Sequence, residues 1–105
     1  MAGFYSMMDL LKLVAHERAE ELRLHVGEPP LIVLRGNTRV LDVPAVTTES
    51  ADELLRSIAS EEQMGELHRC GDIHFIYNFQ NSARFAVSAA TQHENLNVKI
   101  KNLGR

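Results

Sequence analysis

Hydrophobic residues recur along this chain with two different periods, which mark its helices and strands. After Ser6 they recur at helical spacing, and Ser6 with Asp9 forms a capping-box pattern, so a first helix is predicted to run through Glu20. The period then changes to two, which is typical of half-buried strands. The first three strands are predicted at residues 22–26, 31–35 and 38–43. A turn at Gly36-Asn37 joins the last two, so the three strands form an antiparallel unit.

Helical spacing returns in the middle of the chain. Leu54, Leu55 and Ile58 share one side of a predicted second helix. Its alternative N-caps are Thr47, Thr48 and Ser50. A short helical continuation is expected over residues 61–69, with an interruption at Gly65.

A second period-two region begins after Gly71. It predicts a strand that ends at Phe79, a turn at Asn81-Ser82, a partner strand over 83–91, a polar loop over 92–97 and a last strand over 98–103. The expected order is αβββα(α)βββ. Because the strands follow one another in meanders, the pattern favours an α+β fold with an antiparallel sheet of about six strands and helices on one face.

Four of the six aromatic residues lie in this second region and predict the centre of the core. They are Phe75, Tyr77, Phe79 and Phe85. An aromatic stripe of this kind is far more often core than a ligand cage.

Composition limits what this chain can bind. Its 105 residues, 45% of them hydrophobic, are enough for one core, and 14 acidic against 11 basic residues give a net charge of −3. No segment concentrates Lys and Arg, which argues against nucleic acid or an anionic membrane as the main partner. Cys70 is the single cysteine. With no stretch long enough to cross a bilayer, the sequence predicts a soluble, cytoplasmic protein.

The sequence carries no motif for autonomous chemistry. None of its six glycines precedes a lysine, so there is no phosphate-binding loop of the G-x-x-x-x-G-K-[ST] type, and G-x-S-x-G is also absent. The carboxylate pairs Glu20-Glu21 and Glu61-Glu62 are interpreted as solvated charge at helix ends. The chain is therefore expected to lack catalytic residues and a cofactor.

One local group of side chains could bind a metal ion. His68, Cys70, Asp72 and His74 alternate and would share a face in a continuous strand. Gly71 falls at the predicted junction of helix and strand, so the four are expected to point in different directions. No metal site is predicted.

Several motifs in order resemble one protein family. Gly27-Glu28-Pro29-Pro30 matches a G-x-P-P turn, residues 35–39 resemble D-G-D-x-R, residues 72–75 resemble D-x-S-F, and residues 84–88 resemble R-F-R-V-N. Together with 8–11 and 19–24, they make residues 8–103 similar to the N-terminal domain of the type II/type IV secretion ATPases, above all the PilT-type pilus retraction motors. Residues 1–7 would then be an N-terminal extension, and 8–105 the domain.

The resemblance implies a PAS-like fold that precedes a RecA-like motor domain in a hexameric ring. Two family arginines that reach toward nucleotide phosphates correspond here to Ala86 and Lys101, so the first is lost and the second is a point charge. Lys101 and Arg84 are the expected phosphate contacts, made across a subunit boundary. The alternative is that both are edge charges that keep a sheet soluble.

Three functions follow from these observations. The leading one is a non-catalytic interaction domain of a pilus retraction or secretion ATPase, which packs on a motor domain of the same or a neighbouring subunit at the base of the machine. The alternatives are a stand-alone PAS-like sensor, motivated by small residues on one strand that could leave space between helix and sheet, and a free-standing regulator of the motor ring. The small residues are Ala83, Ala86, Ser88, Ala89 and Ala90. The chain is either an excised domain or a free-standing relative.

Overall fold

A computed structural model describes residues 5–79, 83–92 and 95–104 of the protein. The predicted turn at Asn81-Ser82 lies outside the described residues. The elements are α1 (Met7–Glu17), β1 (Glu21–His25), β2 (Leu31–Leu34), β3 (Asn37–Val40), α2 (Thr48–Arg56), α3 (Glu61–Cys70), β4 (Asp72–Phe79), β5 (Ala83–Gln92) and β6 (Asn95–Gly104). This is the predicted order.

Each helix begins at a capping box. The N-caps are Ser6, Thr47 and Ser60, and in each case the residue three positions later bonds back to the cap. Among the three alternatives for α2, Thr47 is the cap. No helix in the described part of the chain is long and apolar enough to cross a bilayer.

The first helix ends earlier than predicted. Arg18 adopts the left-handed conformation at φ 57°, and its N–H donates to the carbonyls of Val14 and Ala15. This cap satisfies carbonyl groups at the end of α1, so the chain leaves the helix at Glu17 instead of continuing to Glu20.

The predicted interruption at Gly65 is wrong, because α3 continues through it to Cys70. A glycine in a helix costs roughly 1 kcal/mol relative to alanine. Met64 and Leu67 on either side of it are buried at 3% and 2% exposure, and burying two such side chains outweighs that cost.

The sheet contains six antiparallel strands in the order β3-β2-β1-β6-β5-β4. The β2–β3 hairpin turns at Arg35 and Gly36, both with positive φ (51° and 82°), one residue before the predicted Gly36-Asn37. Two successive positive φ values match the twist of the flanking strands, so Asn37 is free to begin β3.

All three helices pack on one face of the sheet. The largest fully buried side chains include Leu11 of α1, Leu55 of α2, Leu22 of β1, Phe85 of β5 and Ile100 of β6. The predicted α+β class with an antiparallel sheet is therefore confirmed.

The core is not centred where the aromatic residues predicted. β4 is an edge strand, and its Phe75 and Tyr77 are only partly buried, whereas β1 and β6 lie in the middle of the sheet. Phe79 and Phe85 are buried, with ring centroids 6.0 Å apart. Local alternation identifies the inward face of a strand, but only the strand order decides how central that strand is.

Candidate docking face on the open side of the sheet

Among residues 5–79, 83–92 and 95–104, no helix lies on one face of the sheet. The strand registers bring alternate residues of neighbouring strands side by side on this face. We call it the open face. Its members on the four strands β1, β6, β5 and β4 include Glu21, Arg23, His25, Asn97, Lys99, Lys101, Arg84, Ala86, Ser88, Ala90, Asp72, His74, Ile76 and Asn78.

Lys101 lies at the centre of the open face. Its Cα partners are Glu21 on β1 and Ala86 on β5. The two positions that correspond to the family arginines, Ala86 and Lys101, are therefore direct cross-strand neighbours. Their spacing of fifteen residues in the sequence becomes one rung of the β5–β6 ladder.

Arg84 lies on the same face but is not paired with Lys101. Its Cα partners are Gly104 and Asn78, and the register between β5 and β6 shifts between Arg84 and Phe85. Arg84 and Lys101 are both exposed. The structure thus brings the two predicted site residues to one face of adjacent strands, with a bulge between their rungs.

A second lysine adds to the positive charge of this face. Lys99 lies directly between Arg23 of β1 and Ser88 of β5. Arg23 makes an ion pair with Glu21 on its own strand, whereas Lys99 and Lys101 have no ion-pair partner within 4 Å among residues 5–79, 83–92 and 95–104. Sequence reasoning missed Lys99, although its spacing of two from Lys101 places both on one side of a strand.

The helical side of the molecule carries the opposite charge. Eight Asp and Glu residues but only three Lys and Arg residues lie within α1, α2 and α3. The open face carries Arg23, Arg84, Lys99 and Lys101 against Glu21 and Asp72. Although the whole chain has a net charge of −3, the open face is therefore its basic side.

Ser88, His74 and Asp72 form a polar row at one end of the open face. The Ser88 hydroxyl oxygen lies 2.9 Å from Nδ1 of His74, and Nε2 of His74 lies 3.8 Å from a carboxylate oxygen of Asp72. The side chains of His74 and Asp72 are 69% and 60% exposed. They border a shallow depression of about 280 Å³ that His25, Asn97 and Lys99 also line.

This row is not arranged like the acyl-transfer site of a hydrolase. Acyl transfer needs backbone or side-chain donors aimed at a developing oxyanion. Here Ser88 lies inside a strand paired on both sides, so its surrounding amides are committed to the ladders. The exposed imidazole and carboxylate are better suited to surface hydrogen bonding.

The four alternating residues considered as metal ligands do not share a face. Gly71 caps α3 at φ 90°, so His68 and Cys70 belong to the helix and Asp72 and His74 to β4. The predicted position of Gly71 at this junction is confirmed. No group of three His, Cys, Asp or Glu side chains within the described residues could hold a metal ion.

Most of the small residues of β5 do not line the region between helix and sheet that the sensor hypothesis assumed. Ala86, Ser88 and Ala90 lie on the open face, opposite Ile76, His74 and Asp72 of β4. Ala89 faces the helices and is buried at 1% exposure. Three of the five small residues therefore point away from the region between helix and sheet.

Comparisons with known proteins agree with this architecture. No protein-family model matches the chain. It is 27% identical over 85 residues to the type IV pilus retraction ATPase PilT of Pseudomonas aeruginosa, which covers 81% of the chain and 25% of that relative. The chain resembles a PilT-like secretion ATPase N-terminal domain. This confirms the family resemblance read from the motifs.

Solved structures share the fold of this PilT-like domain. The crystal structure of the pilus retraction motor PilT with bound ADP aligns with a TM-score of 0.83 and 22% identity, over 92% of this chain and 29% of that one. The ATPase DotB of Legionella pneumophila aligns with a TM-score of 0.76 and 16% identity, over 96% and 30%. The chain thus spans about a quarter of the length of the curated relative that it matches.

Proposed function

We propose that this chain is a non-catalytic assembly domain of a pilus retraction or secretion ATPase, which packs its open face on a RecA-like motor domain of the same or a neighbouring subunit. The observation that carries the proposal is a sheet face on which the described part of the chain places no covering layer, and which is also the basic side of an acidic chain. A sheet face of this kind fits a partner surface with exposed carboxylates. The assembly would be a cytoplasmic hexameric ring at the inner-membrane base of the machine.

Lys101 and Arg84 are the proposed contacts to nucleotide phosphates bound by the neighbouring motor. Both are exposed on one face, and Lys101 has the side chain of Ala86 beside it instead of a second cation. A lysine contributes a point charge without the bidentate geometry of arginine. Any stimulation of a motor through these residues is therefore expected to be weak.

Binding to a purified PilT motor domain, measured by isothermal titration calorimetry, tests the docking role. We expect the double variant Lys99→Glu/Lys101→Glu to weaken binding by about tenfold or more, because it reverses two charges at the proposed interface. Lys12→Glu/Arg69→Glu is the matched control, since it reverses two exposed charges on α1 and α3, on the helical side. Equal binding by both variants, or no binding by the parent chain, would contradict the proposal.

The phosphate contact has a separate test. Ala86→Arg places a guanidinium next to Lys101, and we expect it to raise the ATPase rate of a motor mixed with the chain if this rung faces the nucleotide. An unchanged rate with unchanged binding would remove the phosphate role and leave the docking role intact. The chain alone is expected to hydrolyse no ATP.

A further inference from the structure

We propose that the free edge of β4 pairs with β4 of a second copy of this chain, which joins two six-stranded sheets into one. The strand is eight residues long and forms one end of the sheet. The pairing surface is the outer backbone edge of β4, at the border of the open face, so the inference goes beyond the docking role. The proposal rests on the two edges of the sheet, on the direction of the β4 backbone groups and on the side chains beside them.

The two edges of the sheet differ in how they are protected. The β3 edge is four residues long and carries Arg39. The β4 edge is twice as long and contains no proline, lysine, arginine or glutamate, and its register with β5 runs without a shift from Asp72 to Phe79. Short length, lysines, prolines and bulges are among the usual features that prevent edge pairing, and β4 has none of these four; its Asp72 and His74 lie in the first three residues of the strand.

The backbone groups of alternate β4 residues point away from the sheet. The Thr91 N–H donates to the Gly71 carbonyl at 2.9 Å, so the 71/91 pair is a hydrogen-bonded pair of the antiparallel ladder. Alternation then directs the N–H and C=O groups of His74, Ile76 and Asn78 to the outside. No loop, turn or side-chain hydrogen bond within the described ranges reaches these groups.

The side chains beside this edge are incompletely covered. Ile76 is 55% exposed on the open face, and Phe75 and Tyr77 on the opposite face are only partly buried. A strand added at this edge would cover all three. Exposed β-branched and aromatic residues on a regular edge are the side chains that cross-strand pairs stabilise best.

A second copy fits this edge because β4 is complementary to itself in the antiparallel direction. With a two-fold axis at Ile76, Ile76 meets Ile76, Phe75 meets Tyr77, and His74 meets Asn78. About six backbone hydrogen bonds form in this register, since three outward-facing residues of each copy exchange both of their bonds. No two like charges oppose each other, because Asp72 is the single carboxylate of the strand and lies at its start.

Pairing of one strand edge buries less area than the 1,200–2,000 Å² or so of a stable complex, so the dimer is expected to be weak, with a dissociation constant on the order of 100 μM. Sedimentation velocity over about a hundredfold range of concentration measures it by mass action. We expect a shift from monomer to dimer as the concentration rises.

Ile76→Lys tests the surface, because it places two lysines next to each other at the two-fold axis. We expect it to weaken association by about tenfold or more. Val40→Lys is the matched control, since Val40 is a β-branched residue with 59% exposure on the opposite edge strand. Thermal melting of both variants verifies that they fold.

Residue-resolved amide hydrogen exchange locates the contact. In the parent chain, the amides of His74, Ile76 and Asn78 are expected to exchange several-fold more slowly at high than at low protein concentration. In Ile76→Lys, their exchange rates are expected to be the same at both concentrations. A parent chain that stays monomeric, an equal effect of both lysine variants, or protection of these amides at every concentration would overturn the proposal. The last result would mean that another segment of the same chain covers the edge.

Discussion

The two faces of the sheet have the same strands and the same backbone but opposite surroundings. Phe85 is fully buried under the helices, and its neighbour Ala86 faces the open side between Ile76 and Lys101. On the covered face, close packing restricts the volume of each side chain. On the open face, side chains are not restricted in this way, so their charge and shape can be complementary to a partner. Residues that stabilise the fold and residues that are available for docking therefore alternate along the same strands.

Truncating a buried side chain on the covered face should lower stability more than truncating an exposed one on the open face. Phe85→Ala should lower the free energy of unfolding by about 3–5 kcal/mol, because it removes a large side chain and leaves a cavity in the core. Ile76→Ala, on the open face, should cost about 1 kcal/mol or less. Urea denaturation monitored by circular dichroism measures both, and similar losses would mean that the open face is also packed.

The next comparison uses two neighbouring alanines. Ala89→Leu should destabilise the protein by about 1–3 kcal/mol, since Ala89 is buried against the helices and extra methylene groups overpack the core. Ala90→Leu adds the same volume to an exposed position and should change stability by about 0.5 kcal/mol or less. Thermal melting curves of the two variants measure both changes in stability. A larger loss for Ala90→Leu than for Ala89→Leu would show that the two faces are assigned the wrong way round.

A smaller effect is expected from the ion pair on the open face. Arg23 and Glu21 have side chains that are 38% and 16% exposed. A double-mutant cycle with Arg23→Ala and Glu21→Ala should give a coupling of about 0.2–1 kcal/mol, decreasing with added salt. A coupling energy that does not change with salt would mean that the ion pair is shielded from solvent, which contradicts its place on the open face.

The last effect, which depends on pH, concerns Tyr5, beside α1. Burial raises the pKa of its hydroxyl above the ordinary value of 10.0, and the hydroxyl donates to the Pro44 carbonyl at 3.1 Å. Because the folded pKa is the higher one, this contribution to stability is present below pH 10 and is lost as the pH rises through the folded pKa. Tyr5→Phe should cost about 1 kcal/mol at neutral pH and less at high pH. A constant difference in urea midpoint from pH 8 to pH 11 would contradict this assignment.

Most of the local structure could be predicted from the sequence. The capping box at Ser6, the choice of N-caps that included Thr47, and the alternation around Phe85 and Val87 depend on residues close together in the chain. The errors arose where a distant contact or a cap outweighed the local pattern, as at Gly65, held in α3 by buried neighbours, and at Arg18, which ends α1. For the candidate site, Lys101 and Arg84 stay predictions from the family resemblance, and Lys99 was missed by sequence reasoning.

The order of helices and strands and the core-facing residues around Phe85 are predictable from the sequence, as is the missing phosphate-binding loop, since periodicity, caps and motifs are properties of neighbouring residues. The position of β6 between β1 and β5 comes from the tertiary structure alone, and it makes Ala86 and Lys101 cross-strand partners and leaves β4 at an edge. Strand order depends on how all the strands cover one core at once, and no local pattern contains that information.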